Sequence, residues 1–130
     1  MAIRHIYMAD DDADDYYLVS TILKEVNDAV LITWFASGKE LLKGLHANAD
    51  NLPDLILLDM NMPANDGIQC LQNIKKHETL NAIPIVMLST ASSPAVIKKA
   101  YECGAIKYLL KPHSIEGLRQ VIKEILTIIN

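Results

Sequence analysis

The chain is short of the features that usually settle a function quickly. Two cysteines, Cys70 and Cys103, occur in 130 residues. Neither belongs to a C-x-x-C pair or stands at ligand spacing from a histidine, which excludes a disulfide scaffold and a thiolate metal centre. Both read as reduced packing residues in helices of a cytosolic protein. Lysine and arginine total 12 against 16 acidic residues, a net charge of -4. The cations are scattered or paired, as at Lys75-Lys76 and Lys98-Lys99, so direct nucleic-acid and anionic-membrane binding are not expected. No apolar run reaches transmembrane length, and Met1 to Met8 lacks a signal-peptide plan. The histidines His5, His46, His77 and His113 share no ligand spacing and read as structural or exposed.

Hydrophobic residues make up 51% of the chain. One domain spanning residues 1–130 can bury roughly two-thirds of its unfolded surface at this length. Apolar strands alternate with amphipathic helices five times, without a low-complexity linker. Strand one is read as Ile3 to Ala9, followed by Asp10-Asp11-Asp12. Helix one runs from Ala13 to about Val26, with Tyr17, Val19, Ile22, Leu23 and Val26 facing inward and Asp14-Asp15 favouring its N-terminal dipole. Strand two is Val30 to Phe35, and it places Trp34 far from the acidic residues. Ser37 caps helix two, with Glu40 completing a capping-box pattern.

Leu55-Ile56-Leu57-Leu58 is too short for a helix and suits a strand buried on both faces. It ends before Pro63, which puts Asp59 at its carboxyl end. Asp66-Gly67 opens helix three, carrying Ile68, Leu71 and Ile74. Strand four, Ile85 to Leu88, delivers Ser89-Thr90. Pro94 fits the first turn of helix four, which stops at Gly104. Strand five, Ala105 to Leu110, delivers Lys111-Pro112. Ser114 caps helix five, with Ile115, Leu118, Ile122, Ile125 and Ile129 inward. Such alternation implies an α/β three-layer sandwich, a flavodoxin-like (βα)5 fold with a parallel sheet in order 2-1-3-4-5.

Ligands of open α/β sheets bind at the carboxyl edge of the strands. Asp59 there has three readings: nucleophile, metal ligand or loop cap. Four strand ends narrow the choice, since they bring Asp10-Asp11, Asp59, Ser89 and Lys111 to one rim. Three carboxylates that close repel one another unless a cation is present, and Mg²⁺ with oxygen ligands relieves the repulsion. Lys111 adds a mobile positive charge and Ser89 a hydroxyl, with Thr90 the alternative. That set suits phosphoryl transfer to an oxygen of Asp59. Asp12 is the candidate cap of helix one. An EF-hand is excluded, because Asp15 stands where its loop needs glycine and Thr21 where it needs glutamate.

On these residues, with Leu58-Asp59-Met60-Asn61-Met62-Pro63, Tyr108 and Lys111-Pro112, the chain resembles the CheY-like receiver domain of two-component response regulators. The resemblance implies that Asp59 accepts the phosphoryl group from a histidine kinase or phosphotransfer protein. It implies Mg²⁺ held by Asp10, Asp11, Asp59 and the Asn61 backbone carbonyl. Ser89 would bond the phosphoryl oxygen, Tyr108 would swing inward with it, and Lys111-Pro112 would join through a cis peptide. His113 replaces a common phenylalanine.

The rival reading is a haloacid-dehalogenase-type phosphatase using Asp10-x-Asp12, Ser89 and Lys111. It leaves Asp59 unexplained and lacks an acidic motif after the lysine, since Glu116 and Glu124 lie inside helix five. A flavin-binding module would need a phosphate loop where the acidic run stands. The chain is thus expected to be a stand-alone receiver: a switch that catalyses its own phosphorylation and dephosphorylation, not a turnover enzyme. Its output would leave through helix four, strand five and helix five. There the surplus apolar residues Val121, Leu126 and Ile128 suggest a partner or homodimer surface.

Overall fold

The structure is a computed structural model describing residues 3–60, 62 and 66–128. Five strands, β1 (His5–Ala9), β2 (Leu31–Phe35), β3 (Leu55–Leu58), β4 (Ile85–Ser89) and β5 (Lys107–Leu110), form one sheet. Its order is β2-β1-β3-β4-β5, with every neighbouring pair parallel. The helices are α1 (Ala13–Val26), α2 (Gly38–Ala47), α3 (Asp66–Lys76), α4 (Pro94–Glu102) and α5 (Ile115–Thr127). The expected order and alternation are both present.

Alternation along the central strands builds two cores. Ile56 and Leu58 of β3 join Leu41 and Leu45 of α2, Leu71 and Ile74 of α3 and Ala100 of α4 on one face. Leu55 and Leu57 join Val19, Ile22 and Leu23 of α1 and Leu118, Ile122 and Ile125 of α5 on the other. All four β3 side chains are buried, as a strand covered on both faces requires. Each fully buried leucine or isoleucine contributes about 1.5–3 kcal/mol relative to exposure.

Three strands are shorter than the apolar runs suggested. Ile3, Val30 and Ala105 are buried yet lie outside β1, β2 and β5. Their burial reflects packing, while the Val30 and Ala105 amides bond to Asn27 and Ala100 carbonyls in turns. Two helix residues expected inward face solvent. Tyr17 is 67% exposed, because Tyr16, not Tyr17, continues the stripe of Val19 and Leu23. Ile115 is 51% exposed in the first turn of α5. Val121, Leu126 and Ile128 are partly buried against the protein's own core, so that surplus is partly absorbed internally. Ile129 lies outside the described residues.

Caps follow the sequence. Asp12, Ser37 and Ser114 accept from the amides of Asp14, Glu40 and Gly117. The Glu40 carboxylate, expected to complete a capping box, instead lies 3.6 Å from Lys43. Gly104, just past α4, has φ 110°, a conformation that favours glycine. Among the described residues no helix is long and apolar enough to cross a membrane.

Candidate functional site

Ladder hydrogen bonds that run one residue beyond the strands fix the rim. The Asp10 amide donates to the Phe35 carbonyl at 3.1 Å, the Asp59 amide to Ala9 at 3.1 Å, and the Lys111 amide to Ser89 at 2.8 Å. Each chemical side chain therefore leaves a backbone position tied to the neighbouring strand. Gly67 brings α3 against the same place: a Cβ there would lie 2.4 Å from the Asp59 carbonyl oxygen.

The side chains converge. Lys111 Nζ donates to Asp10 Oδ2 at 2.7 Å, Asp15 Oδ2 at 2.8 Å and Asp59 Oδ2 at 3.3 Å. Asp10 and Asp59 are buried, whereas Asp11 is exposed. Asp10 Oδ1 also accepts from the Asp12 amide at 2.9 Å. Burial pushes the Asp10 carboxyl up to about 6, despite the lowering effect of Lys111 and the Asp12 amide, and the Asp59 charge adds to the rise. Burial alone would lower the Lys111 ammonium. Its hydrogen bonds to Asp10 and Asp15 and the surrounding negative charge outweigh that, and hold it above the usual lysine range.

Asp10, Asp11 and Asp59 each present an oxygen, all within 4.8 Å of one another. An all-oxygen set with two buried carboxylates, one held high by desolvation, fits a hard divalent cation such as Mg²⁺. The Asn61 carbonyl, expected to join it, lies outside the described residues.

Ser89 is buried and Thr90 exposed. Ser89 Oγ accepts from the Ala91 amide at 3.2 Å, beside the Tyr108 phenol. Tyr108 is 8% exposed, donates to the Ala91 carbonyl at 2.8 Å, and its amide donates to the Tyr101 hydroxyl. Burial raises its pKa, opposed by the neighbouring Ser89 hydroxyl and reinforced by the Asp59 charge.

Two expectations need correction. No cis peptide bond occurs among the described residues, so Lys111-Pro112 is trans. The more stable X–Pro isomer already brings Nζ to its carboxylates. Trp34 is not remote: its indole N–H donates to the Asp10 carbonyl at 2.8 Å, and its ring stacks on Tyr16. Strand two pairs beside β1 in register, which sets Trp34 opposite Met8 and lets its indole reach the Asp10 carbonyl two residues further on. Asp12 caps α1, so its carboxylate is engaged at the Asp14 amide and the Asp-x-Asp pair that a dehalogenase-type phosphatase needs is not formed at the rim.

Asp15 was missed as a partner of Lys111. A helical periodicity could have flagged it, since the first turn of α1 begins at the rim. A separate open cavity of about 450 Å³ lies between α3 and α4, lined by Met60, Ile68, Gln72, Val96 and Lys99 among others. It holds none of the rim carboxylates. His46 and His77 meet with ring centroids 4.9 Å apart, a contact that sequence spacing does not reveal.

A parallel five-stranded sheet with carboxylates and one lysine gathered at its carboxyl edge defines a flavodoxin-like α/β protein. Within that class the chain belongs to the response regulator receiver domain family of two-component signalling, whose family model matches residues 6–123. It is 32% identical over 123 residues to the probable methanogenesis regulatory protein FilR2 of Methanothrix harundinacea, covering 92% of this chain and 79% of that protein. It is 33% identical over 82 residues to the regulatory protein AtoC of Escherichia coli, covering 63% of this chain but 17% of AtoC. Among solved structures it resembles the phosphorylated cyanobacterial phytochrome response regulator RcpA, with a TM-score of 0.86, 32% identity, and 95% and 91% of the two chains covered. The Mn²⁺-bound response regulator Rcp1 gives a TM-score of 0.85 at 27% identity, with 98% and 97% covered.

Proposed function

We propose that Asp59 is the phospho-acceptor of this receiver, taking a phosphoryl group from the phosphohistidine of a sensor histidine kinase or phosphotransfer protein. The observation that carries this reading is the convergence of Lys111 Nζ on Asp10 and Asp59, at 2.7 and 3.3 Å. One Asp59 carboxylate oxygen attacks phosphorus in line. The P–N bond of the donor breaks, its electron pair returns to the imidazole, and a P–O bond forms an acyl phosphate. Lys111 places its ammonium beside the oxygens that gain charge. Ser89 supplies a hydroxyl for the new phosphoryl group. Asp10, Asp11, Asp59 and the Asn61 carbonyl would hold Mg²⁺, which supplies charge neutralisation at the phosphoryl oxygens.

The chain acts in this reading as a cytoplasmic switch, hydrolysing its own phospho-aspartate and not serving as a turnover enzyme. Its output passes through the α4-β5-α5 face to a protein partner or a second copy. Tyr101, Ile106, Leu110 and Ile115, all more than 40% exposed, give that face its apolar character. Movement of Ser89 and Tyr108 couples the rim to it. The test is incubation with Mg²⁺ and acetyl phosphate, followed by mass spectrometry of peptides. An adduct on the β3 peptide, absent in Asp59→Asn, supports the assignment. No adduct, or one on the Asp10 peptide, overturns it.

A further inference from the structure

Lysine ammonium carries three donors on a flexible four-carbon stem. At this rim all three have carboxylate acceptors: Asp10, Asp15 and Asp59. The acceptors differ in what else they can do. Asp10 and Asp59 belong to the oxygen cluster able to hold a cation, and Asp15 does not. A bound divalent ion would draw the first two carboxylates toward itself and weaken their hold on the lysine. Asp15 alone would keep its bond, at 2.8 Å, from the first turn of α1. A small cavity of about 60 Å³ lies beside the lysine, lined by Leu18, Val19, Leu88, Pro112 and Leu118 as well as Asp15 and Lys111. An untethered stem has apolar room there to turn away from Asp59.

We propose that Asp15 is a positioning residue that anchors the Lys111 ammonium over Asp59 once a cation occupies the rim. This rests on the reading of Asp59 as phospho-acceptor, but the anchoring itself is measurable without phosphoryl transfer. Asp15 acts through Lys111 and touches neither the phosphoryl group nor the cation. Holding one long side chain in place is worth about 0.5–1.5 kcal/mol, so its loss slows phosphoryl uptake by roughly two- to twelvefold.

The test uses the full chain in saturating Mg²⁺. NMR of the lysine Cε and Nζ groups compares Lys111 in wild type, Asp15→Asn and Asp15→Glu. Rates of uptake from acetyl phosphate are measured in the same variants and in Lys111→Ala with and without Asp15→Asn. The proposal expects an ordered Lys111 in wild type, a mobile one in Asp15→Asn, and partial recovery in Asp15→Glu. It expects slower uptake in Asp15→Asn, and no further slowing when Lys111 is already alanine. A Lys111 equally ordered in Asp15→Asn overturns it, as does a rate loss that persists undiminished in the Lys111→Ala background. If Lys111 responds as expected but wild type takes no phosphate on Asp59, the anchor stands and the phospho-acceptor reading falls.

Discussion

The phenol of Tyr108 donates to the Ala91 carbonyl at 2.8 Å, tying the centre of β5 to the loop that leaves β4. Ser89, two residues before Ala91, accepts from the Ala91 amide. The β4–α4 loop is thus held at Ala91 through both its N–H and its C=O. A net hydrogen bond of this kind contributes about 1 kcal/mol. Tyr108→Phe is expected to fold, to lose about that much stability, and to let the amides of residues 90–96 exchange with solvent faster than those of β3. Unchanged exchange in that loop would show that Tyr108 does not restrain it.

Asp10 sets a pH dependence whose sign follows from its environment. Burial raises its carboxyl from 3.8 to about 6 in the folded protein without a cation. Between those values the folded state binds more protons at this site than the unfolded state, so its contribution is fully present below about pH 4. That contribution is lost as pH rises through about 6. Asp10→Asn removes it. In chelator, the urea midpoint of Asp10→Asn minus that of wild type should grow from pH 4 to pH 6.5. Added Mg²⁺ should then close the gap, because only wild type has the Asp10 carboxylate to offer. A difference independent of pH would mean that Asp10 is ionised as easily as a solvated aspartate.

Much of this arrangement is readable in the residues, and what was not has a common cause. The four apolar residues before Asp59, the caps at Asp12, Ser37 and Ser114, and the break at Gly104 are local signals, and each element formed where they placed it. The gathering of Asp10, Asp59 and Lys111 follows from strand order alone. Contacts that depend on side-chain reach across elements were not readable. Trp34 lies in a strand one place away from the rim, yet its indole spans to Asp10, and Asp15 reaches Lys111 across 96 residues of sequence. Tyr16 and Tyr17 differ by one helical step, and propensity cannot say which faces inward.

Gly67 is required by close approach. A methyl group there would meet the Asp59 carbonyl oxygen at 2.4 Å and the Met60 Cα at 2.8 Å, both backbone atoms that cannot swing aside. Gly67→Ala gains intrinsic helix propensity of about 1 kcal/mol, but overpacking against fixed atoms costs about 1–3 kcal/mol. The expected net result is a loss of stability, together with slower phosphoryl uptake because α3 pushes on the residue that carries the acceptor. Thermal unfolding and acetyl phosphate kinetics on the same sample check both. A stabilised variant with normal uptake would show that α3 can shift without disturbing Asp59.

Lys111→Ala separates the structural and chemical parts played by one side chain. Without a cation, the lysine is the positive charge facing two carboxylates that are only 1% and 5% exposed. Removing one partner of a buried ion pair typically costs about 3–5 kcal/mol, since the remaining charges stay desolvated. Here Asp10 softens the loss by taking up a proton more readily, so the lower end of that range is expected in chelator near neutral pH. Mg²⁺ replaces the missing charge. It should therefore raise the melting temperature of Lys111→Ala more than that of wild type, and bind at least as tightly, because one repelling cation has gone. Phosphoryl uptake should nevertheless stay low, since the ammonium that faces the transferred oxygens is absent. If Mg²⁺ restored both stability and uptake to wild-type levels, Lys111 would be a charge-balancing residue of the metal-free state and nothing more.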